Sequence, residues 1–214
     1  MTTDELLQRV TVLAIILLVS FPIHEFSHAL AAYRLGDSTA RYLGRLTLNP
    51  IAHFDPMGGL LLAFSIMIGS GFGWAKPTPV NPRNLQGGRW GEAIVSAAGP
   101  LSNLVLAIAA AIPLRVLLAS DLNAQFVVGV LGLFVYINLL LMIFNLIPIP
   151  PLDGSGVLFA FLPPQTAWQL RPILSQYGIF LLILLIFPVF GGSSLLTQIF
   201  GAILDPLFRL LVGL

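Results

Sequence analysis

Cysteine is absent from this 214-residue chain, so disulfide bonds and thiolate-ligated metal sites are excluded. Charge is also scarce. Charged residues make up 9% of the sequence, whereas soluble domains carry about 25%. Hydrophobic residues make up 57%, and the mean hydropathy is +0.94. The net charge is only +1 and no basic run occurs, so nothing indicates nucleic-acid binding. This balance predicts an all-α polytopic membrane protein.

Long apolar segments predict where the chain crosses the bilayer, at about 20 residues for each crossing. Three clear spans are expected, at about 10–32, 92–118 and 126–148. Two further apolar segments, 172–190 and 195–214, predict two C-terminal hydrophobic helices. No internal repeat or linker separates these segments. We therefore expect a single membrane-embedded domain over residues 1–214, with a three-helix core at about 10–156 and C-terminal helices at about 172–214.

The first span contains the pattern His-Glu-x-x-His, at His24, Glu25 and His28. Residues four apart lie on one face of a helix, so the two histidines can bind one metal ion, with Glu25 placed to take a proton from water at that metal. Glu25 is also the only charged residue between Arg9 and Arg34. Ionisable groups in an apolar span are costly and usually functional, which favours a metal site over a chance pattern. Pro22 lies just before the motif and predicts a kink or local loosening of the helix there.

A third metal ligand has two candidates. Asp153 is the only charged residue between Asp121 and Arg171, and an isolated carboxylate at the end of an apolar helix needs a partner. The alternative for Asp153 is a turn, because Asp-Gly is a common turn pair. His53 is the third and last histidine of the chain, and it is the other candidate ligand.

The stretch between the first two clear spans gives weaker predictions. Residues 40–43 and 45–48 flank Gly44 and suggest a small β-hairpin. Residues 59–72 are apolar but short and glycine-rich, which favours a re-entrant segment. Asp55 precedes Pro56 as a helix N-cap would, and a cap and a functional role are both open for it.

Three motifs together resemble those of the site-2 proteases, a family of zinc intramembrane metalloproteases. They are HEFSH at 24–28, AGPLSN at 98–103 and NLIPIPPLDG at 145–154. The stretches NPIAHFDPMG and GWAKPTPVNP also resemble a subgroup of that family. Many relatives carry a PDZ or CBS domain, for which no segment here has the length or composition. The expected type is therefore a compact form without either domain.

The resemblance implies that His24, His28 and Asp153 bind one zinc ion and that Glu25 activates water. It also implies that Asn145 hydrogen-bonds the oxyanion or the substrate backbone. The expected function is zinc-dependent hydrolysis of peptide bonds in or near transmembrane segments of membrane-protein substrates within the lipid bilayer. The alternative is a metal transporter or a metal-sensing membrane protein that uses the same ligands.

Topology follows from the expected zinc site. The two histidines and Asp153 lie near the C-terminal ends of their spans, so these two helices must run in the same direction and the 92–118 helix between them must run the opposite way. If 59–72 is re-entrant and both C-terminal segments span, eight of the ten lysines and arginines share one side, with only Arg9 and Arg115 opposite. The positive-inside rule then puts the N-terminus outside and the active site toward the cytoplasmic side.

Overall fold

The structure, a computed structural model, describes residues 3–58, 60, 75–120, 122–187 and 194–213. Helices dominate, and no strand occurs in these described residues. The long helices are α1 (Thr3–Ile15), which continues through a π-helical turn (Ile16–Ser20) into α2 (Phe21–Arg34), then α5 (Arg89–Leu118), α6 (Gln125–Asn145), α8 (Pro164–Ile186) and α9 (Leu195–Val212). Shorter helices are α3 (Thr39–Tyr42), α4 (Pro50–His53) and α7 (Gly154–Phe161), and residues Pro82–Asn84 form a 3₁₀ turn.

Five helical segments in the described residues are long and apolar enough to cross a membrane. They are Thr3–Arg34, Arg89–Leu118, Gln125–Asn145, Pro164–Ile186 and Leu195–Val212. The three predicted core spans and the two predicted C-terminal hydrophobic helices are therefore confirmed as helices. The chain is an integral membrane protein.

The first span loosens where its proline predicts. Pro22 lies in the first turn of α2, and the turn before it widens to a π-helix in which the Phe21 N–H bonds to the carbonyl of Ile16. A proline removes one N–H from the helical ladder and crowds the preceding turn, so local rewinding is the expected response. The loosened turn lies directly before the histidine motif.

The predicted β-hairpin at 40–48 is wrong. Residues Thr39–Tyr42 form helix α3, and the Arg45 N–H bonds back to the carbonyl of Ala40 at 2.8 Å. The physical reason is that only Gly44 separates the two proposed strands, whereas a hairpin loop needs at least two residues. Gly44 instead has a φ of +67° and turns the chain after α3.

The predicted re-entrant segment at 59–72 lies outside the described residues, apart from Leu60, and stays a prediction. Immediately before it, Asp55 accepts a hydrogen bond from the Gly58 N–H at 2.7 Å. Asp55 therefore acts as the cap that its position before Pro56 suggested.

The helices pack around α5, which lies between α2 and α6. Small side chains on α5, such as Ala107 and Ala111, are buried and let its neighbours approach closely. Leucine and valine side chains from α1, α6 and α9, including Val12, Leu139 and Leu204, fill the apolar core beside them. Near one end of this core the buried residues become polar, because Asn103 and Asn138 are both fully buried there.

The helix directions follow from which ends meet at that polar region. Val95 and Asn103, in the first half of α5, contact His28 and His24 in the second half of the first span. Asp153, just after α6, reaches the same histidines. The first span and α6 therefore run in the same direction and α5 runs the opposite way, as predicted.

The C-terminal helices correct one part of the predicted topology. Helix α8 begins at the site end, where Arg171 forms a bidentate ion pair with Glu92 at 2.8 Å. Helix α9 ends at the opposite end, where Arg115 bonds to the carbonyl of Leu210. If α8 and α9 each crossed the membrane completely, the end of α9 would lie back at the site end. The two helices are therefore not two successive complete crossings. Arg209 therefore lies with Arg9 and Arg115, and the positive charges divide seven to three instead of eight to two.

Candidate metal centre

His24 and His28 lie one helical turn apart on α2, and their Nε2 atoms approach to 3.1 Å. The Oδ2 atom of Asp153 lies 3.3 Å from each of these nitrogens. Both histidines are buried and Asp153 is half-buried. Three potential ligand atoms from two distant parts of the sequence thus converge on one point.

Hydrogen bonds at the far side of each imidazole ring set its orientation. The Nδ1–H of His24 donates to Oδ1 of Asn103 at 2.6 Å, and the Nδ1–H of His28 donates to the carbonyl of Val95 at 2.7 Å. A histidine that donates from Nδ1 presents the lone pair of Nε2, which is the atom that can bind a metal. Both acceptors belong to α5, so the packing of α5 on α2 selects the tautomers.

Asn103 is itself held by a buried neighbour. Its Nδ2 group donates to Oδ1 of Asn138 at 3.0 Å, and Asn138 donates onward to the carbonyl of Phe134 at 2.9 Å. This chain of amides leaves the Asn103 oxygen as the acceptor for His24. Burying two amides in an apolar core is unfavourable unless they are paired, and the pairing here serves the orientation of His24.

The ligand atoms fit a zinc ion. Zinc binds histidine nitrogens and carboxylate oxygens at about 2.0–2.2 Å in a tetrahedral arrangement, which places neighbouring ligand atoms about 3.3 Å apart. The observed separations are 3.1, 3.3 and 3.3 Å. Two neutral imidazoles and one carboxylate are also typical of catalytic zinc, which keeps a fourth position open.

Gly99 provides the space in front of these atoms. A Cβ atom at this position of α5 would lie 2.6 Å from Nε2 of His24 and closer still to Nε2 of His28. Any side chain there would enter the point at which the ligand atoms converge. The absence of a side chain at Gly99 therefore keeps that point free.

The ionisation of Asp153 also suits a metal ligand. Burial by itself raises the pKa of this carboxyl group, but its contacts with the protonated forms of His24 and His28 more than offset that effect and lower the pKa to about 2. The group is an anion at neutral pH, as a metal-binding carboxylate must be.

Glu25 lies beside the ligand group and is buried, with 8% of its surface exposed. Its Oε2 accepts the Thr78 N–H at 2.7 Å, and its own main-chain carbonyl accepts the Thr78 hydroxyl at 3.0 Å. A cavity of about 780 Å³ is lined by Glu25, the three potential ligands, Thr78 and Asn145. A carboxylate that opens on the same cavity as a metal group can act as a general base.

Asn145 and His53 lie outside the group of three potential metal ligands. Asn145 ends α6, lines the cavity and donates from Nδ2 to the carbonyl of Leu141 at 3.0 Å. His53 is 2% exposed, and its Nε2 lies 2.8 Å from the carbonyl of Thr47. Within the described residues, the potential metal ligands that cluster are His24, His28 and Asp153, without His53.

Asn103, Gly99 and Thr78 are parts of the site that sequence reasoning did not assign. Asn103 lies in a predicted apolar span, where a polar side chain is itself a signal of a specific role. Gly99 lies in the AGPLSN stretch, from which no role for this residue was predicted. Thr78 carried no signal, because its contact with Glu25 joins residues 53 positions apart.

Comparison with known proteins agrees with this site. Residues 111–185 match the family model described as Peptidase family M50. A Bacillus subtilis protein named "Putative zinc metalloprotease YwhC" is 39% identical over 203 residues, which cover 92% of this chain and 90% of the relative. The Rip2 proteins, which carry the same designation, are 35% identical in Mycolicibacterium smegmatis and 36% in Mycobacterium tuberculosis. Those matches cover 79% and 82% of this chain, and 64% and 66% of the relatives.

No solved structure matches the chain. The relatives' designations, together with a His-His-Asp group of suitable geometry, indicate zinc as the metal. Identity of 39% over nearly the whole of both chains places this protein in peptidase family M50, the site-2 protease family, as a membrane zinc metalloprotease.

Proposed function

We propose that the protein is an endopeptidase that cleaves peptide bonds within or beside transmembrane segments of other membrane proteins. The observation that supports this most directly is the position of the site along its helices. His24 and Glu25 lie well inside a 32-residue apolar helix, and Gly99 lies about 15 Å along α5 from its start. A bond cleaved at that depth belongs to a substrate segment that is itself in the membrane.

His24, His28 and Asp153 are the proposed zinc ligands. When bound, zinc would act as a Lewis acid that polarises the scissile carbonyl and lowers the pKa of water to about 7. Asn103 and Val95 hold the two imidazoles so that both Nε2 atoms are available to bind the ion. The Asp153 carboxylate adds the negative charge that two neutral histidines lack.

Glu25 is the proposed general base. Its Oε2 is held by the Thr78 N–H, so Oε1 is the oxygen available to accept a proton from the attacking water and to return it to the leaving amine. Asn145, at the wall of the same cavity, is proposed to donate from its side chain to the carbonyl oxygen or to the substrate backbone. Loss of one such donor typically costs about 10²–10³ in rate.

The substrate must present an extended backbone, because a helix keeps its carbonyls in hydrogen bonds. Residues 40–48 offer no strand edge with which such a backbone could pair, since residues 39–42 are helical. The cavity beside Glu25 is bordered instead by the extended, proline-rich residues 75–80, among them Pro77 and Val80. An unwound substrate segment would lie in this cavity.

Cleavage of a single-span reporter protein in liposomes tests this function. Glu25→Gln should lower the rate of cleavage by about 10²–10⁴-fold, the usual contribution of a general base, while keeping one zinc per chain, because the ligands remain. Asp153→Asn should lose both zinc and cleavage, whereas Asp205→Asn on the exposed side of α9 should change neither. Proteolysis by Glu25→Gln at the wild-type rate would contradict the proposed base, and zinc uptake into the liposomes without proteolysis would favour the transporter instead.

The active site is proposed to face the cytoplasmic side. Seven of the ten lysines and arginines lie at the site end, and such residues are enriched in cytoplasmic loops. Cysteine labelling can test this without interference from native cysteines. A cysteine at the exposed Tyr42 should react with a membrane-impermeant reagent only from the cytoplasmic face, and one at the exposed Leu122 only from the outer face. The reverse pattern would overturn the orientation.

A further inference from the structure

Arg45 is buried, with 6% of its surface exposed, and it forms no ion pair within the described part of the chain. Its guanidinium group donates only to main-chain carbonyls. Nη1 bonds to Ala52, and Nη2 bonds to Lys76 and, at 3.2 Å, to Pro77. A buried cation that contacts only backbone carbonyls fixes the segments to which those carbonyls belong, here α4 and the start of the 75–80 segment.

The residues that Arg45 holds have little conformational freedom. Pro77 and Pro79 have fixed φ angles and no N–H, and each restricts the residue before it to extended conformations. The two N–H groups left in residues 76–79 are both bonded: Lys76 donates to the carbonyl of His53 at 2.9 Å, and Thr78 donates to Glu25 at 2.7 Å. The 76–79 backbone is therefore rigid, and the Thr78 N–H within it is bonded to the Glu25 carboxylate.

The C-terminal end of this segment is held by a different residue, Asp37. The buried carboxylate of Asp37 accepts the Asn81 N–H at 2.7 Å and the Asn84 side-chain amide at 3.1 Å. Asp37 therefore fixes the chain beyond Val80, while Arg45 fixes it immediately before Thr78. Glu25 receives its N–H donor from between these two attachments.

We propose that Arg45 is a positioning residue for proteolysis, which holds the 76–78 backbone so that the Thr78 N–H orients the Glu25 carboxylate toward the cavity. The inference rests on the proposed role of Glu25 as general base. Among the described residues that line the cavity, Arg45 hydrogen-bonds to Pro77, and it forms no hydrogen bond or ion pair with the ligand group. It acts only through the backbone. Without Arg45, the carbonyls of Lys76 and Pro77 lose their hydrogen-bond donor, and the 76–78 backbone can move away from α2.

Three measurements on the purified full-length zinc enzyme test this role. They are the separate kcat and KM values for the single-span reporter, the zinc content, and hydrogen–deuterium exchange of the peptide that contains residues 75–81. Arg45→Met should lower kcat by about 100-fold, the scale of a 1 Å misplacement of a catalytic group. KM and zinc content should stay within about twofold of the wild-type values, and exchange at 75–81 should become at least about tenfold faster.

Two further variants keep the test decisive if Arg45→Met folds poorly. Arg45→Lys keeps the charge but lacks the forked geometry that reaches three carbonyls, so it should give an intermediate kcat and intermediate exchange. Arg41→Met removes the same charge from the exposed side chain that stacks on Tyr33, and should leave all three measurements unchanged.

Wild-type kcat in both Arg45 variants would overturn the inference, as would a loss of activity explained by a higher KM or by a proportional loss of zinc. Failure of the inference is distinguishable from failure of the proposed function. If Glu25→Gln is inactive and the Arg45 variants are normal, only the positioning role is wrong. If Glu25→Gln is active, the role of the base is wrong whatever the Arg45 variants do.

Discussion

Gly99→Ala tests the metal centre with a single added methyl group. The new Cβ would lie 2.6 Å from Nε2 of His24 and 2.7 Å from its Cε1, and closer still to Nε2 of His28. Ordinary contact needs about 3.5 Å, so each imidazole would have to withdraw by about 0.9 Å or more. Metal–ligand distances tolerate only about 0.2 Å. The methyl group and a zinc ion therefore compete for the same space.

The expected loss of zinc affinity exceeds about 100-fold. Loss of a group that merely orients a ligand typically costs 10–100-fold, and this change displaces both histidines from their binding positions. The metal-free protein should remain folded, because alanine is favoured over glycine in a helix interior by about 1 kcal/mol. Without metal, the imidazoles can also rotate away from the methyl group.

Competition with a zinc chelator of known affinity gives the dissociation constant of the purified variant, and the absorption spectrum of the cobalt-substituted protein reports whether a tetrahedral site still forms. Gly132→Ala and Gly201→Ala are matched controls, because a Cβ at either position meets no atom within 4 Å. Both should bind zinc as the wild type does. Wild-type affinity in Gly99→Ala would refute the close approach of α5 to the histidines, and with it the geometry of the site.

Three further predictions concern zinc binding, catalysis and the stability of the segment beside Glu25. Asn103→Ala should weaken zinc binding by about 10–100-fold, because His24 loses the acceptor that fixes its tautomer; chelator competition measures this, and unchanged affinity would reduce Asn103 to a packing role. Asn145→Ala should lower kcat by about 10²–10³ with normal zinc content, and unchanged turnover would remove Asn145 from the proposed machinery. Burial raises the pKa of Asp37, but hydrogen bonds from Thr39, Asn81 and Asn84 hold it below its ordinary value. Its contribution to stability is therefore present above about pH 4 and lost as the pH falls through the folded-state pKa. In chemical unfolding, the wild type should exceed Asp37→Asn by about 2 kcal/mol at pH 7 and lose that advantage progressively as the pH falls below about 4; an advantage independent of pH would contradict the assignment.

Local patterns carried the parts of the fold that sequence could predict. The long apolar segments predicted the three core helices and the two C-terminal helices. The predicted boundaries differ from the observed ones by up to eight residues, as at the start of α8. Pro22 predicted the loosened helical turn that precedes the histidine motif. These features depend on composition and on contacts within a few residues along the chain, so one sequence is sufficient to find them.

The errors arose where short segments depend on tertiary contacts. The hairpin at 40–48 was predicted because two short segments flank Gly44, but the Arg45 side chain bonds to the carbonyls of Ala52 and Lys76, and the chain before Arg45 is helical. The direction of α9 was also misjudged. Hydrophobicity measures how apolar a segment is but carries no information on which end of a helix packs beside Arg115.

By itself, the sequence determined that the protein lies in a membrane and that His24, Glu25 and His28 share one helix, because hydrophobicity and helical spacing act locally. Only the tertiary structure decided that Asp153 and not His53 lies beside the two histidines, that Gly99 leaves space next to their Nε2 atoms, and that Thr78 bonds to Glu25. Each of these contacts joins residues far apart in the chain. Their proximity is set by how α5 packs between α2 and α6, and that packing is a property of all three helix surfaces together.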